Sequence, residues 1–238
     1  MEERNEVFDL IITLLKPMKN EKDIECIEDD KTYRIYSHDN YLLNQTLRRY
    51  YQGEDKILIS EKAKNLWIQL FDENQMVEKK KGKEKVEKII RNFSYDDKIT
   101  VDKKPNVNID RFSGNKKTPE KDGLEIEENQ KIQYNDIFHD EHIIPLEMII
   151  NELKEIENPE INEETYKKLK EILDKIYICK MLKSEDRDLM DSRKRNSTNV
   201  VKVVEINYGT RTNSGVPIKI VDWEKIKKQI EEKQKAVK

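Results

Sequence analysis

Apolar residues along this chain recur by turns at helical spacing and at strand spacing. Phe8, Ile11, Ile12 and Leu15 share one helical face, and Pro17 closes that helix. Tyr33-Arg34-Ile35-Tyr36 alternates as a short strand does, and Ser37 or Asp39 then caps a helix bearing Leu43, Leu47 and Tyr50. Lys56-Ile57-Leu58-Ile59 predicts a second strand, with Ser60 as N-cap of a helix burying Ala63, Leu66, Trp67 and Leu70. Further on, Val86, Ile89, Ile90 and Phe93 give the stretch Lys79 to Asn92 the form of a basic helix. Leu124-Glu125-Ile126 and Ile132-Gln133-Tyr134 are β-like. Pro145 suits the first turn of a helix running through Leu153, and Asn162 caps Glu163 to Lys175, whose apolar side is Tyr166, Leu169, Ile172 and Leu173. Ile176 to Leu182 is the best buried-strand segment, and Ser184 to Leu189 starts an acid-first helix. The Val-rich stretch Asn199 to Glu205 predicts another strand, Asn207 to Gly215 a turn between strands, and Trp223 to Lys235 a closing helix. The expected class is α+β, mainly helical with short strands.

Pro105, Gly114, Pro119 and Gly123 lie among polar residues, so 103–123 reads as a loop or linker. It separates an N-terminal α+β part, 1–102, from a C-terminal part, 124–238. Hydrophobic residues make up 35% and charged residues 40% of the 238 positions, which implies a modest core under a heavily charged surface. The net charge of −3 does not mark a nucleic-acid binder, but it averages over patches. Lys79, Lys80, Lys81, Lys83, Lys85, Lys88 and Arg91 form one basic run, and Arg193, Lys194 and Arg195 another. The N-terminal part thereby becomes a candidate DNA-recognition region. Cys26 and Cys179 stand in no CxxC pattern, as expected of reduced thiols in a cytoplasmic protein. The stretch Leu10 to Leu15 is too short to span a bilayer, so no membrane association is expected.

Chemistry concentrates in Asp136-Ile137-Phe138-His139-Asp140-Glu141-His142-Ile143-Ile144-Pro145, which holds two of the three histidines. Imidazole titrates near neutrality and carboxylate does not, so the segment can place a general base beside ligands for a divalent ion. On a regular strand Asp140 and His142 share a face and Glu141 points away; a twisted or bulged end would bring Glu141 round. The bland counterpart is a loop whose acids cap the following helix, with His142 hydrogen-bonded in a core.

The order Glu141-His142-Ile143-Ile144-Pro145, then a strand, then Ser184-Glu185-Asp186-Arg187-Asp188-Leu189 resembles the HNH, or ββα-metal, endonuclease family. The resemblance spans roughly Tyr134 to Arg195 and implies a divergent ββα-metal core in the C-terminal half. It makes His142 the general base and Glu141 a ligand of Mg²⁺ or Mn²⁺. Asp188 is the helix-borne ligand, ahead of Glu185, with Asp140 and His139 as further metal ligands. Arg187, Arg193 and Arg195 would grip phosphates. The implied activity is metal-dependent hydrolysis of phosphodiester bonds in DNA, with RNA not excluded, by a restriction, phage or mobile-element nuclease that a homodimer would suit. The pattern departs from the family in its Asp on the final helix, in lacking zinc-holding cysteine pairs, and in the long span from His142 to Asp188, which requires two inserted helices. The alternative is a non-catalytic nucleic-acid-binding or protein-interaction module with a degenerate HNH-like core, and a metal-dependent hydrolase of another substrate stands third.

Overall fold

A computed structural model describes residues 6–18, 24–28, 31–35, 38–50, 56–70, 98–104, 126–189, 197–210 and 212–236. The expected basic helix of Lys79 to Asn92, most of the 103–123 linker, and Arg193 and Arg195 lie outside them. In chain order the elements are α1 (Glu6–Met18), β1 (Ile24–Glu28), β2 (Lys31–Ile35), α2 (His38–Arg49), β3 (Ile57–Ile59), α3 (Glu61–Leu70), β4 (Lys98–Thr100) and β5 (Lys131–Gln133). They continue with α4 (Tyr134–Ile137), β6 (Phe138–His142), α5 (Leu146–Lys154), α6 (Glu163–Leu173), β7 (Ile178–Leu182) and α7 (Lys183–Asp188). The last are α8 (Val200–Val203), a π-helix (Val204–Tyr208) and α9 (Trp223–Ala236). The fold is α+β. No helix among the described residues is long and apolar enough to cross a membrane.

The chain forms two compact units, each assembled from two stretches: Met1–Gln52 with Ile144–Ile176, and Gly53–Ile143 with Tyr177–Lys238. In the first, α1, α2 and α5 pack on one another and α6 packs on α5. The predicted faces of α1 and α2 are buried, with Phe8, Ile11, Ile12 and Leu15 on α1 and Leu43 and Leu47 on α2, and α5 buries Leu146, Ile149, Ile150 and Leu153. The Asn162 side chain accepts from Thr165 N at 2.8 Å, so the expected cap of α6 forms. Burial, and then the charge of Asp174, pushes the Tyr50 hydroxyl up to about 12.

The second unit is built on a three-stranded sheet ordered β3-β7-β6, with β7 parallel to β3 and antiparallel to β6. The central strand is buried along most of its length, with apolar Ile178, Cys179 and Met181 and, between them, Lys180, whose ammonium is paired with Asp140. The helices α5 and α6, which separate β6 from β7 in sequence, belong to the other unit, so the two strands meet directly as an antiparallel pair. Trp67 and Phe138 pack at 5.6 Å between ring centroids, and Tyr134 stacks on Phe138 at 5.1 Å. Ile59, Ala63, Leu66 and Leu70 complete that core together with Ile99 and Ile132, which face each other across the β4–β5 ladder.

The Val-rich stretch is not a strand. Asn199 accepts from Lys202 N at 3.0 Å, capping α8, and Val200, Val201, Val203 and Val204 are all buried along the helical path. A local cap plus tertiary burial outweighs the β-preference of valine. The expected turn at Asn207 to Gly215 likewise begins inside the π-helix, closed by Gly209 N donating to Val204 O five residues back. A Cβ on Gly209 would lie 2.3 Å from the Glu205 carbonyl oxygen, so glycine is required there.

Candidate metal centre

Strand β6 enters the site as the middle of the His-rich segment. Alternation puts His139 and Glu141 on one face and Asp140 and His142 on the other. The register pairs Glu141 with Cys179 and His139 with Met181 on the first face, and Asp140 with Lys180 on the second.

The helix α7 follows β7 without a loop and packs against both β6 and β7. Its angular setting is fixed by Glu185, the third helical residue. One carboxylate oxygen of Glu185 accepts from Leu182 N at 3.0 Å, the back-reaching half of a capping box, and from Ser60 Oγ at 2.5 Å. Ser60 does more than the expected capping: its Oγ accepts from Ala63 N at 3.1 Å, and its N–H donates to Lys180 O at 2.9 Å. Glu185 is therefore buried beneath the helix, and burial raises its pKa despite the hydrogen bonds from Ser60 and Leu182.

With Glu185 turned inward, the next residue, Asp186, turns toward β6. His139 Nε2 lies 3.3 Å from Glu141 Oε2 and 3.8 Å from Asp186 Oδ1. One donor atom from each of the three side chains falls within 4.8 Å of the others. The side chains are 30%, 15% and 37% exposed for His139, Glu141 and Asp186, so the cluster is sheltered yet open to solutes. Burial presses the His139 pKa down, but the Glu141 hydrogen bond and the charges of Asp186, Glu141 and Asp140 outweigh it and leave the pKa raised. The three side chains form an ion-pair cluster when the His139 ring is protonated, and the same donors could hold a divalent cation, which would compete with that proton.

The opposite face of the pair carries different chemistry. Lys180 Nζ contacts both carboxylate oxygens of Asp140 at 3.0 Å and lies 5.0 Å from the centroid of the Tyr134 ring. Tyr134 donates its hydroxyl proton to Asp140 at 2.8 Å. Asp140 is thus engaged by a buried ammonium, away from the cluster it was expected to join.

Of the expected ligands, the structure brings together His139 and Glu141. Asp188 does not join them: its carboxylate accepts from the Ser214 backbone N–H at 2.7 Å and from the Ser214 hydroxyl, holding the 212–214 turn to the end of α7. One helical position C-terminal to a carboxylate that faces the site is about 100° round the helix, and two positions is about 200°. Asp188 is two positions beyond Asp186. His142, the expected base, lies on the Asp140 face, with its Nε2 closed off from solvent. Arg187 is exposed on α7. Cys179 lies opposite Glu141, but burial and the charges of Glu185, Glu141 and Asp140 push its thiol well up, so it is no nucleophile. Asp186 was the residue missed. Its signal was its place just after an N3 glutamate, a position that back-bonds to the cap and turns inward. No protein-family model matches the chain, and no curated protein or solved structure matches it.

Proposed function

We propose that this protein is a divalent-metal-dependent endonuclease that hydrolyses phosphodiester bonds in DNA, with the ion held by His139, Glu141 and Asp186. One observation carries the reading: an antiparallel strand pair followed by a helix gathers one imidazole and two carboxylates around a half-open point. Two carboxylates balance the charge of a divalent ion, and three protein donors leave coordination positions for substrate and water. Bound there, the ion supplies Lewis acidity toward a phosphoryl oxygen and acidifies water. The protein's own part is to fix the donors. Glu141 and His139 stand on a paired strand, and Asp186 on a helix locked by Glu185 and Ser60. Arg187 is exposed one residue beyond Asp186 and would be available to a flanking phosphate in this reading. The basic runs at Lys79 to Arg91 and Arg193 to Arg195 would add sequence-independent attraction to the duplex. His142 has no role as base in this reading, because it lies on the far face of β6.

The test is nicking of supercoiled plasmid with MgCl₂ or MnCl₂. Wild type and Asp188→Asn should nick, whereas Glu141→Gln and Asp186→Asn should be reduced at least about a hundredfold, the scale of one lost electrostatic stabiliser of the transition state. A wild type that leaves the plasmid intact with either ion while retarding it in a gel would replace this reading with that of a DNA-binding module.

A further inference from the structure

We infer that the His139–Glu141–Asp186 centre is selective for an imidazole-binding transition ion of the Zn²⁺ or Ni²⁺ class over Mg²⁺ and Ca²⁺; this rests on the metal-site reading above and goes on to name the ion. The spacing of the donors makes the first part of the argument. A metal–donor length of about 2.1 Å places adjacent donors about 3.0 Å apart in an octahedron and about 3.4 Å apart in a tetrahedron. His139 Nε2 stands 3.3 Å from Glu141 Oε2 and 3.8 Å from Asp186 Oδ1. Small side-chain rotations therefore bring all three into one coordination shell, with the imidazole nitrogen as a member of it.

Donor chemistry makes the second part. Zn²⁺ and Ni²⁺ bind imidazole readily, while Mg²⁺ prefers oxygen and gives up its waters reluctantly. Ca²⁺ wants six to eight oxygens at about 2.3–2.6 Å, and this cluster offers two carboxylates and a nitrogen. Mg²⁺ would thus be held by Glu141 and Asp186 alone, with His139 left outside its shell. A transition ion gains the third bond. The position of His139, anchored on β6 between two carboxylates, is what separates the two classes.

The experiment is calorimetric titration of the metal-free protein with ZnCl₂, NiCl₂, MgCl₂ and CaCl₂, using wild type, His139→Gln, Asp186→Asn and Asp188→Asn, each first shown to be folded by circular dichroism. Zn²⁺ and Ni²⁺ should bind wild type at least about tenfold more tightly than Mg²⁺. His139→Gln should weaken the transition ions by about tenfold or more and leave Mg²⁺ nearly unchanged, which a loss of folding would not do selectively. Asp186→Asn should weaken every ion, and Asp188→Asn none. Equal affinity for Mg²⁺ and Zn²⁺, or equal losses for both in His139→Gln, would overturn the inference and leave the nuclease reading standing. Selective Zn²⁺ or Ni²⁺ binding by a protein that never cuts DNA would do the reverse. Absence of any binding would overturn the inference, and nicking by such a protein would place the nuclease chemistry elsewhere in the chain.

Discussion

Removing Asp140 should cost far more stability than removing Lys180, although the two form one ion pair. The Lys180 side chain is 4% exposed and that of Asp140 25%. At 3.0 Å and an effective dielectric constant of about 20, the attraction is about 5 kcal/mol, most of which offsets the desolvation of the ammonium. In Asp140→Ala, Lys180 keeps its burial and loses its carboxylate, so the expected loss is about 3–5 kcal/mol. In Lys180→Met, Asp140 keeps solvent on one side and the Tyr134 hydroxyl as donor, and the methionine stem replaces the buried methylenes; about 1–2 kcal/mol is expected. The double substitution removes the buried ammonium as well and should recover most of the Asp140→Ala loss. Urea unfolding followed by tryptophan fluorescence is the assay, because Trp67 and Trp223 both lie in the unit that holds the pair. Equal losses in the two single variants, or a double variant no more stable than Asp140→Ala, would refute the reasoning. Metal affinity should be unchanged in Lys180→Met, since this pair lies on the other face from His139 and Glu141.

Two other expectations concern the elements that frame the site. The Glu185 pKa is raised from 4.5 in the fold, so between that value and its folded pKa the native state holds a proton that the unfolded chain has lost; stability therefore falls as pH rises through this window. Urea midpoints across the acid-to-neutral range should show that fall in wild type and a flatter profile in Glu185→Gln, and parallel profiles would show that Glu185 is not the group responsible. Gly209→Ala should destabilise by about 1–3 kcal/mol, because its Cβ meets a backbone oxygen at 2.3 Å that cannot rotate away. An unchanged midpoint would mean that the π-helix relaxes freely.

What the sequence determined by itself is what neighbouring residues decide together. The caps at Ser60 and Asn162, the buried faces of α1 and α3, and the apolar run that becomes β7 all follow from spacings of two to four residues, and each was legible. Strand periodicity over His139 to His142 was legible for the same reason, but it puts Glu141 and His142, the pair expected to work together, on opposite faces. The Val-rich stretch misled because β-preference expresses packing against a neighbouring strand, and burial around the helical path replaced that here. Which acid of α7 completes the cluster was not a local matter. Rotation of that helix is set by the hydrogen bond between Glu185 and Ser60, 125 residues apart, and it turns Asp186 toward β6 while Asp188 goes to Ser214. A helix carrying three acids in four positions offers a carboxylate to nearly every direction, and only the packing beneath it selects one.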